Sequence, residues 1–401
     1  MDANTLNSWG KWGLLLLLLL PVVFPGLPTQ DGPSHVWIAL AMKHLAAHDP
    51  LWTASLELAP WHTPNQLIHR FLQMALTVNI SPLWAERLLQ FVLLTPWAWF
   101  VWKSPKVWSA LPLLLLAMNL LFFKGFYNFM AGFTLVYCLW EWLRKGSLPL
   151  AIHLFWPLVY FSHPLALGVA GLSLGMYTLS DWKLSSPEQK ARRTAALLHG
   201  AAWFGLFLWH WMQSDAHAVE IVTRSQSLME RVARLLTGDV FSLSLDARRG
   251  VGFLFIGGTF AVAIHRFWHD RKHPWVQMLG VVFLLGFVWA LVGPDTLGEG
   301  GFVRQRMALV ATASAIALLS AQKTPWVGWQ RKGVVIGSVA AGLLYLINAN
   351  TYSTPPPAGP VASTRANIGL HEADRQAVRK DTLSPSNYAI ATHHFPVRRK
   401  E

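Results

Sequence analysis

The sequence predicts an all-α protein, a polytopic bundle of about eleven transmembrane helices with amphipathic helices on its outer surface. Hydrophobic residues make up 53% of the 401 positions and charged residues only 13%, whereas soluble domains carry about 25% charged residues. Long apolar runs recur along the chain, and their backbone groups must be satisfied within each segment, which favours helices over strands. The chain also has 22 tryptophans, a residue that anchors spans at both membrane interfaces.

The predicted spans follow one another along most of the chain. Several are short for a hydrocarbon core of about 30 Å. The stretch 1–27 also fits a secretory signal peptide, but no small-x-small cleavage site precedes "TQDGPSH", so we interpret it as an uncleaved first span. The spans cover residues 12–28, 83–102, 107–123, 126–143, 148–162, 164–180, 195–213, 250–266, 275–293, 306–322 and 332–349.

The distribution of lysine and arginine predicts the orientation of this bundle. With the N-terminus inside, every predicted inside loop is basic, as expected for cytoplasmic loops. An odd number of spans then places the C-terminus outside. The basic loops contain Lys103 and Lys106; Arg144 and Lys145; Lys183, Lys190, Arg192 and Arg193; Arg266, Arg271 and Lys272; and Lys323, Arg331 and Lys332.

Two further helical segments are predicted on the outer surface. Residues 66–80 are too few for a span and include His69 and Arg70, and counting them as a span would move the later basic loops outside. We therefore expect an amphipathic helix there, and a second one over 34–48. The outer face then comprises the loops 29–82, 214–249 and 294–305 and a short polar tail, 350–401, after the bundle of residues 1–349.

Composition and missing motifs exclude several classes of function. The net charge of +13 could indicate nucleic acid, but in a membrane protein it reflects basic loops and anionic lipid or phosphate partners, so no nucleic-acid partner is expected. The single cysteine, Cys138, lies in an apolar run and is interpreted as a small core residue. The sequence has no GxSxG, Walker or HExxH motif and no cysteine cluster.

Polar residues collect at the predicted outer ends of the helices, beginning with Asp31 and His35. Asp31 precedes Pro33, so one reading is that it caps a helix. The other is that Asp31 is a general base, or a metal ligand, with His35 on the same helix face one turn later. Ionisable residues near membrane depth are costly and often mark a functional site.

Two short connections add further candidates. Lys124, Tyr127 and Asn128 join the third and fourth spans, where Lys124 either extends to the interface or contacts a lipid-linked phosphate. His163 precedes Pro164 and either caps the following helix, donates a hydrogen bond to a substrate or ligates a metal.

The connection "GPDTLGEGGFVRQRM" (293–307) is the strongest anion-binding candidate. A glycine-rich loop permits close backbone approach to a ligand, and guanidinium groups at a helix N-terminus favour phosphate. Interfacial anchoring of the arginines is the alternative. For the nearby Arg224, Arg231 and Arg234, contact with lipid headgroups is preferred. The candidate binding residues here are Asp295, Glu299, Arg304 and Arg306.

Five stretches, taken in order, resemble a large group of little-characterised bacterial integral membrane proteins. They are "DGPSHVW", "FKGFYNFMAGF", "YFSHPLALG", "PDTLGEGGFVRQRMAL" and "SPSNYAIATHHFPVR". That group is similar to the GT-C superfamily of glycosyltransferases, multispan enzymes that use sugars carried on polyprenyl phosphate. Their hallmark is an acid in the first outer loop, which Asp31 matches by position. Here Gly32 follows in place of the second acid that many members carry, and the chain ends in a short tail.

The resemblance implies a membrane glycosyltransferase of the bacterial inner membrane. Its partners would be a polyprenyl-phosphate-linked sugar and membrane lipid, with Asp31 as base, His35 and His163 orienting substrate, and Lys124, Arg304 and Arg306 stabilising the leaving phosphate. No cofactor is certain, and a divalent metal ion is an open alternative. Two rival hypotheses are a transporter or flippase for lipid-linked glycans and a non-catalytic scaffold for envelope assembly.

Overall fold

The computed structural model is almost entirely helical over the residues that it describes. These residues are 3–23, 29, 31–54, 56–105, 107–213, 227–237, 239–241, 249–295, 302–320, 336–337, 339–340 and 397–399.

Fifteen α-helices and two short strands make up the described part of the chain. The first eight helices are α1 (Ala3–Val23), α2 (Gly32–Ala46), α3 (Pro50–Thr53), α4 (Leu67–Thr77), α5 (Pro82–Lys103), α6 (Val107–Ala117), α7 (Leu120–Phe123) and α8 (Tyr127–Arg144). The remaining helices are α9 (Ile152–Ser162), α10 (Pro164–Asp181), α11 (Pro187–Gln213), α12 (Leu228–Leu236), α13 (Arg249–Asp270), α14 (Pro274–Val292) and α15 (Val303–Ser320). The strands are β1 (Leu56–Leu58) and β2 (Val397–Arg399).

Proline marks the start of many of these helices. Its fixed φ suits the first turn of a helix, and the amide hydrogen that it lacks has no partner there in any case. Helices α2, α3, α5, α10, α11 and α14 begin in this way, with Pro33, Pro50, Pro82, Pro164, Pro187 and Pro274 in their first turns.

The predicted span over 107–123 is divided into two helices. Asn119 interrupts it, because its side-chain oxygen accepts hydrogen bonds from the amides of Leu121 and Phe122 and so starts α7 afresh. Asparagine favours such caps over helix interiors. The predicted spans 12–28 and 195–213 correspond to helices that begin well before them, at Ala3 and Pro187.

The helix predicted over 34–48 is present as α2, but it is not an amphipathic surface helix. Its buried residues run almost without interruption from Gly32 to Leu45, because α4, α5 and β1 pack around it. Helix α4, predicted over 66–80, is amphipathic: Leu72 is buried and Met74 is exposed. Apolar residues on all sides of α2 argue against a one-sided surface helix but do not decide between contact with protein and contact with lipid.

Two described helices are long and apolar enough to cross a membrane, over Val251–Asp270 and Pro274–Val292. Several other helices expose large apolar side chains, including Phe91, Val92 and Trp99 on α5. Such exposure is unusual for a soluble monomer and is typical of surfaces that meet a partner or lipid. The eleven-span arrangement stays a prediction, and most of the last span, 332–349, lies outside the described residues.

The only sheet in the described part of the chain has two antiparallel strands. Leu56 pairs with Arg399, and Leu58 pairs with Val397. This pairing brings the end of the tail against the loop that follows α2. Strand β2 therefore lies beside the first loop.

Candidate functional site

Asp31 lies at the N-terminus of α2, where backbone contacts hold it. Its amide donates a hydrogen bond to the carbonyl oxygen of Lys124 (2.9 Å), and its own carbonyl accepts from the amide of His35 (3.1 Å). The half-buried side chain makes no capping hydrogen bond to α2. Helix capping therefore does not account for the carboxylate of Asp31.

Gly125 allows the connection before α8 to lie in close contact with the backbone of Asp31 and Gly32. Gly125 has a φ of +82°, and a Cβ there would lie 2.8 Å from the Gly32 nitrogen and 2.9 Å from the Asp31 nitrogen. Only glycine tolerates both this backbone conformation and this approach. The turn at Gly125 thus sets the position of Asp31 relative to α8.

Two cationic side chains, those of Lys124 and Arg306, lie close enough to Asp31 to be attracted by its carboxylate. Burial lowers the pKa of Lys124, and attraction to Asp31 opposes that shift. The same carboxylate attracts the guanidinium of Arg306, which is 8% exposed. The Arg306 guanidinium also lies over the rings of Phe126 and Phe129, 4.9 Å and 5.5 Å from their centroids. The acid and both cations come from three parts of the chain that are far apart in sequence.

His163 extends this cluster. Its Nε2 lies 3.1 Å from Nη1 of Arg306, and its Nδ1 lies 3.1 Å from the amide nitrogen of Leu165 at the start of α10. A neutral imidazole has one acceptor nitrogen, so His163 can accept from Arg306 or from Leu165 but not from both at once. Burial and the charge of Arg306 hold the pKa of His163 well below its usual range, which keeps it neutral.

His35 belongs to a buried histidine pair. Its Nδ1 faces Nε2 of His69 at 2.9 Å, its Nε2 faces the carbonyl oxygen of Gly125 at 2.8 Å, and Nδ1 of His69 faces the carbonyl oxygen of Asn65 at 3.0 Å. Each carbonyl requires a donor, so both outer nitrogens carry hydrogen. Two neutral rings then leave no proton between the inner nitrogens.

A third proton would complete this chain of hydrogen bonds but would bury a charge. Burial lowers the pKa of His35 to about 4 and that of His69 well below its usual value. The cost of desolvating an imidazolium outweighs the one hydrogen bond that the third proton would add. The pair is therefore neutral at pH 7, with one of its three contacts unfulfilled, and it holds α2, α4 and the turn at Gly125 together.

Tyr127 does not face open space. Its hydroxyl donates to Oε1 of Glu86 (2.8 Å), accepts from Nε2 of Gln90 (2.7 Å) and lies 2.7 Å from Oγ1 of Thr29. The Thr29 hydroxyl also donates to Glu86 (2.8 Å). Sequence reasoning missed Glu86, although an acid within the predicted span 83–102 was an available signal.

The side chain of Asn128, one of the predicted binding residues, contacts the start of α4. Its side-chain amide donates to the carbonyl oxygen of Asn65 (2.9 Å), which also faces His69. Its side-chain oxygen lies 3.4 Å from the amide of Ile68, in the first turn of α4. Asn128 thus fixes α4 against α8.

The structure separates Arg304 from Arg306. Residues two apart on a helix point in different directions, and Arg306 is the one that interacts with Asp31 and His163. Arg304 forms an ion pair with Asp295 (Nη1 to Oδ1, 3.3 Å) that closes the connection between α14 and α15. The amide of Val303 also donates to the carbonyl oxygen of Asp295 (3.0 Å). Glu299, the remaining predicted binding residue, lies outside the described residues.

Arg304 faces the amphipathic helix α12. With Arg231 and Arg234 it lines a cavity of about 20 Å³, close to the space that one water needs. Arg231 donates to the carbonyl oxygens of Leu291 (3.1 Å) and Gly293 (3.3 Å) at the end of α14. Arg231 therefore stabilises a helix C-terminus in addition to any contact with lipid headgroups.

The residues around Asp31 do not suit a divalent cation. Lys124 and Arg306 are attracted by its carboxylate, and their charges would repel a second cation. Among the described residues, no group of three or more His, Cys, Asp or Glu has the arrangement of a metal site. The cluster instead suits an anion that approaches the two cations beside a carboxylate.

Comparison of the chain with family models, with curated proteins and with solved structures gave no match.

Proposed function

We propose that this protein is a membrane glycosyltransferase that moves a sugar from a polyprenyl-phosphate carrier to an acceptor on the outer face of the bacterial inner membrane. The observation that carries the proposal is the convergence of Asp31, Lys124, Arg306 and His163 from four separate parts of the chain. A carboxylate beside two cations offers both a proton acceptor and a phosphate site.

The reaction would use these groups in the following way. The acceptor hydroxyl oxygen attacks the anomeric carbon, and its proton passes to the carboxylate of Asp31. The bond between that carbon and the phosphate oxygen breaks, and the oxygen keeps the electron pair. Lys124 and Arg306 stabilise the negative charge on the departing polyprenyl phosphate.

The two cations also control the basicity of Asp31. Two neighbouring cations favour the ionised carboxylate and weaken it as a proton acceptor. A bound phosphate would neutralise them and restore the basicity of Asp31. Arg306 can turn to the phosphate because His163 then accepts from Leu165 in its place.

Protein reconstituted in vesicles with a panel of polyprenyl-phosphate hexoses and pentoses tests the proposal. The measurement is loss of the lipid-linked sugar and its appearance in a product when envelope extract is added as the acceptor source. Asp31→Asn should lower the rate at least about 100-fold, the usual contribution of a general base. Asp49→Asn is the matched control, because Asp49 is in the same loop but caps α3 and pairs with His44.

Other outcomes of this experiment would contradict the proposal or support a different class of function. An Asp31→Asn variant with the wild-type rate would remove the proposed base. Movement of lipid-linked sugar across the bilayer without transfer, unaffected by Asp31→Asn, would identify a transporter. A folded protein that neither turns over nor binds any lipid of the panel would support the scaffold hypothesis.

A further inference from the structure

A second feature lies at the opposite end of α10 from His163. There the last turns of α10 and Leu197 of α11 line an open surface cavity of about 410 Å³. It is lined by Gly175, Thr178, Leu179, Trp182 and Leu197. The hydroxyl of Thr178 donates to the carbonyl oxygen of Leu174 (2.7 Å), so the lining offers an occupant almost only apolar contacts.

Between the cavity and the N-terminus of α10, one face of the helix carries glycines. Gly168, Gly171 and Gly175 share one face of the helix, and a Cβ added at any of them would meet no atom within 4 Å. Seven residues of helix span about 10 Å. The cavity and this open face together leave room for an extended hydrocarbon chain to lie along α10.

The mouth of the cavity is basic. Two of the nearby cations are neutralised, since Arg193 pairs with Asp181 (2.7 Å) and Arg192 pairs with Glu188 (2.7 Å). The other two are Lys183, which follows Trp182 in the sequence, and Lys190. The Nζ of Lys190 lies 5.5 Å from the Trp182 ring centroid. No carboxylate among the described residues pairs with either lysine.

We infer that this cavity binds an anionic phospholipid, with one acyl chain against Gly175 and Leu197 and the phosphate against Lys183 and Lys190. Charge complementarity selects this occupant: an apolar cavity with two lysines at its mouth fits a hydrocarbon chain with a negative headgroup. Tryptophan at the mouth suits the level of the headgroups. Basic pockets between helices on the cytoplasmic side are typical sites for such lipids.

This inference uses the membrane setting of the proposed function but none of its chemistry. The orientation predicted from the basic loops puts Lys183 and Lys190 on the cytoplasmic side. The lipid would therefore come from the inner leaflet, away from the proposed transfer site on the outer face. Binding can be measured without turnover, so failure of one proposal does not entail failure of the other.

Native mass spectrometry of the purified protein tests the site, with equimolar phosphatidylglycerol and phosphatidylcholine of identical acyl chains. The wild type should retain phosphatidylglycerol preferentially, by about fivefold for each lysine near the phosphate. The double variant Lys183→Gln/Lys190→Gln should lose the preference. Lys103→Gln is the matched control, because the Nζ of Lys103 lies 4.5 Å from the Trp99 ring centroid in a similar contact at the end of α5. This variant should keep the preference, since α5 does not line the cavity.

Variants that fill the cavity separate its role from that of the charges. Gly175→Leu and Leu197→Phe should each abolish retention of phosphatidylglycerol. Gly175→Ala should retain it, because a Cβ at this position meets no atom within 4 Å. Thermal unfolding identifies the variants that fold. Equal retention of the two lipids by the wild type, or unchanged retention in a folded cavity-filling variant, would overturn the inference.

Discussion

At the scale of single residues, the candidate site depends on contacts between backbone segments as much as on side chains. Asp31 is positioned through its amide and through the turn at Gly125, while its carboxylate is left to two cations. The paired histidines His35 and His69 brace the same turn from the other side. Stability and the geometry of the site are therefore linked at these residues.

Gly125→Ala should destabilise the protein and displace Asp31. The added Cβ would lie within 3.0 Å of three backbone atoms of Asp31 and Gly32, at a φ of +82°. Gly146→Ala is the matched control, since Gly146 has a φ of +66° and open space around it. The control should lose about 1 kcal/mol from its backbone conformation alone, and Gly125→Ala clearly more. Thermal unfolding measures both, and equal losses would contradict the close approach.

Acid should destabilise the protein through the histidine pair. The pKa of His35 is about 4 in the folded chain against 6.5 when unfolded, so between these values the unfolded chain binds the proton first. Stability is then greatest above pH 6.5 and falls as the pH drops towards 4, by on the order of 3 kcal/mol for His35.

The unfolding temperature between pH 7.5 and 4.5 measures this loss. His35→Gln should flatten the profile. A wild type that becomes more stable on acidification would show instead that the pair holds the third proton when folded.

At the scale of elements, helix geometry divides residues that sequence reasoning had grouped. Arg304 and Arg306 are close in the chain but lie on different faces of α15, one against Asp295 and α12 and the other against His163 and α8. The connection at 124–128, in contrast, brings separate elements together, because its residues contact α2, α4, α5 and α15. This short connection is the centre of the candidate site.

Substitution of Arg304 and substitution of Arg306 should affect different properties of the protein. Arg304→Gln leaves the buried carboxylate of Asp295 without its ion-pair partner and should lower stability, by about 3–5 kcal/mol for a fully buried pair. Binding of polyprenyl phosphate should persist in that variant. Arg306→Gln should weaken the binding of polyprenyl phosphate at least tenfold. This is about the change in affinity expected for loss of one hydrogen bond to a charged group. Binding to lipid-loaded vesicles and thermal unfolding measure the two effects, and equal loss of binding would refute the division.

At the scale of the whole molecule, the helices bury one another extensively and still expose large apolar side chains along several of them. Two of the described helices, α13 and α14, are long and apolar enough to cross a membrane. The end of the chain returns to the first loop through the β1–β2 pair. A bilayer around the exposed apolar faces would account for this surface.

Cysteine labelling tests the predicted orientation. In a Cys138→Ser background, Asn79→Cys lies in an exposed turn of the first outer loop, and Lys145→Cys lies in an exposed basic loop predicted inside. A membrane-impermeant maleimide should label the cysteine at 79 in intact right-side-out vesicles. The cysteine at 145 should react only after permeabilisation. The reverse pattern would invert the orientation and place the Asp31 cluster on the cytoplasmic side.

The helical class, most helix positions and the connections that carry the candidate site could be predicted from the sequence. Apolar periodicity, proline at helix starts and an asparagine or histidine cap are local signals, and local signals are enough for these features. The burial of α2 was decided only by packing, because a helix that is apolar on all sides can face lipid or protein. The tertiary structure also decided the partners of Asp31. Lys124, His163 and Arg306 lie far from it in the chain, and no local pattern specifies which charged groups come together when helices pack.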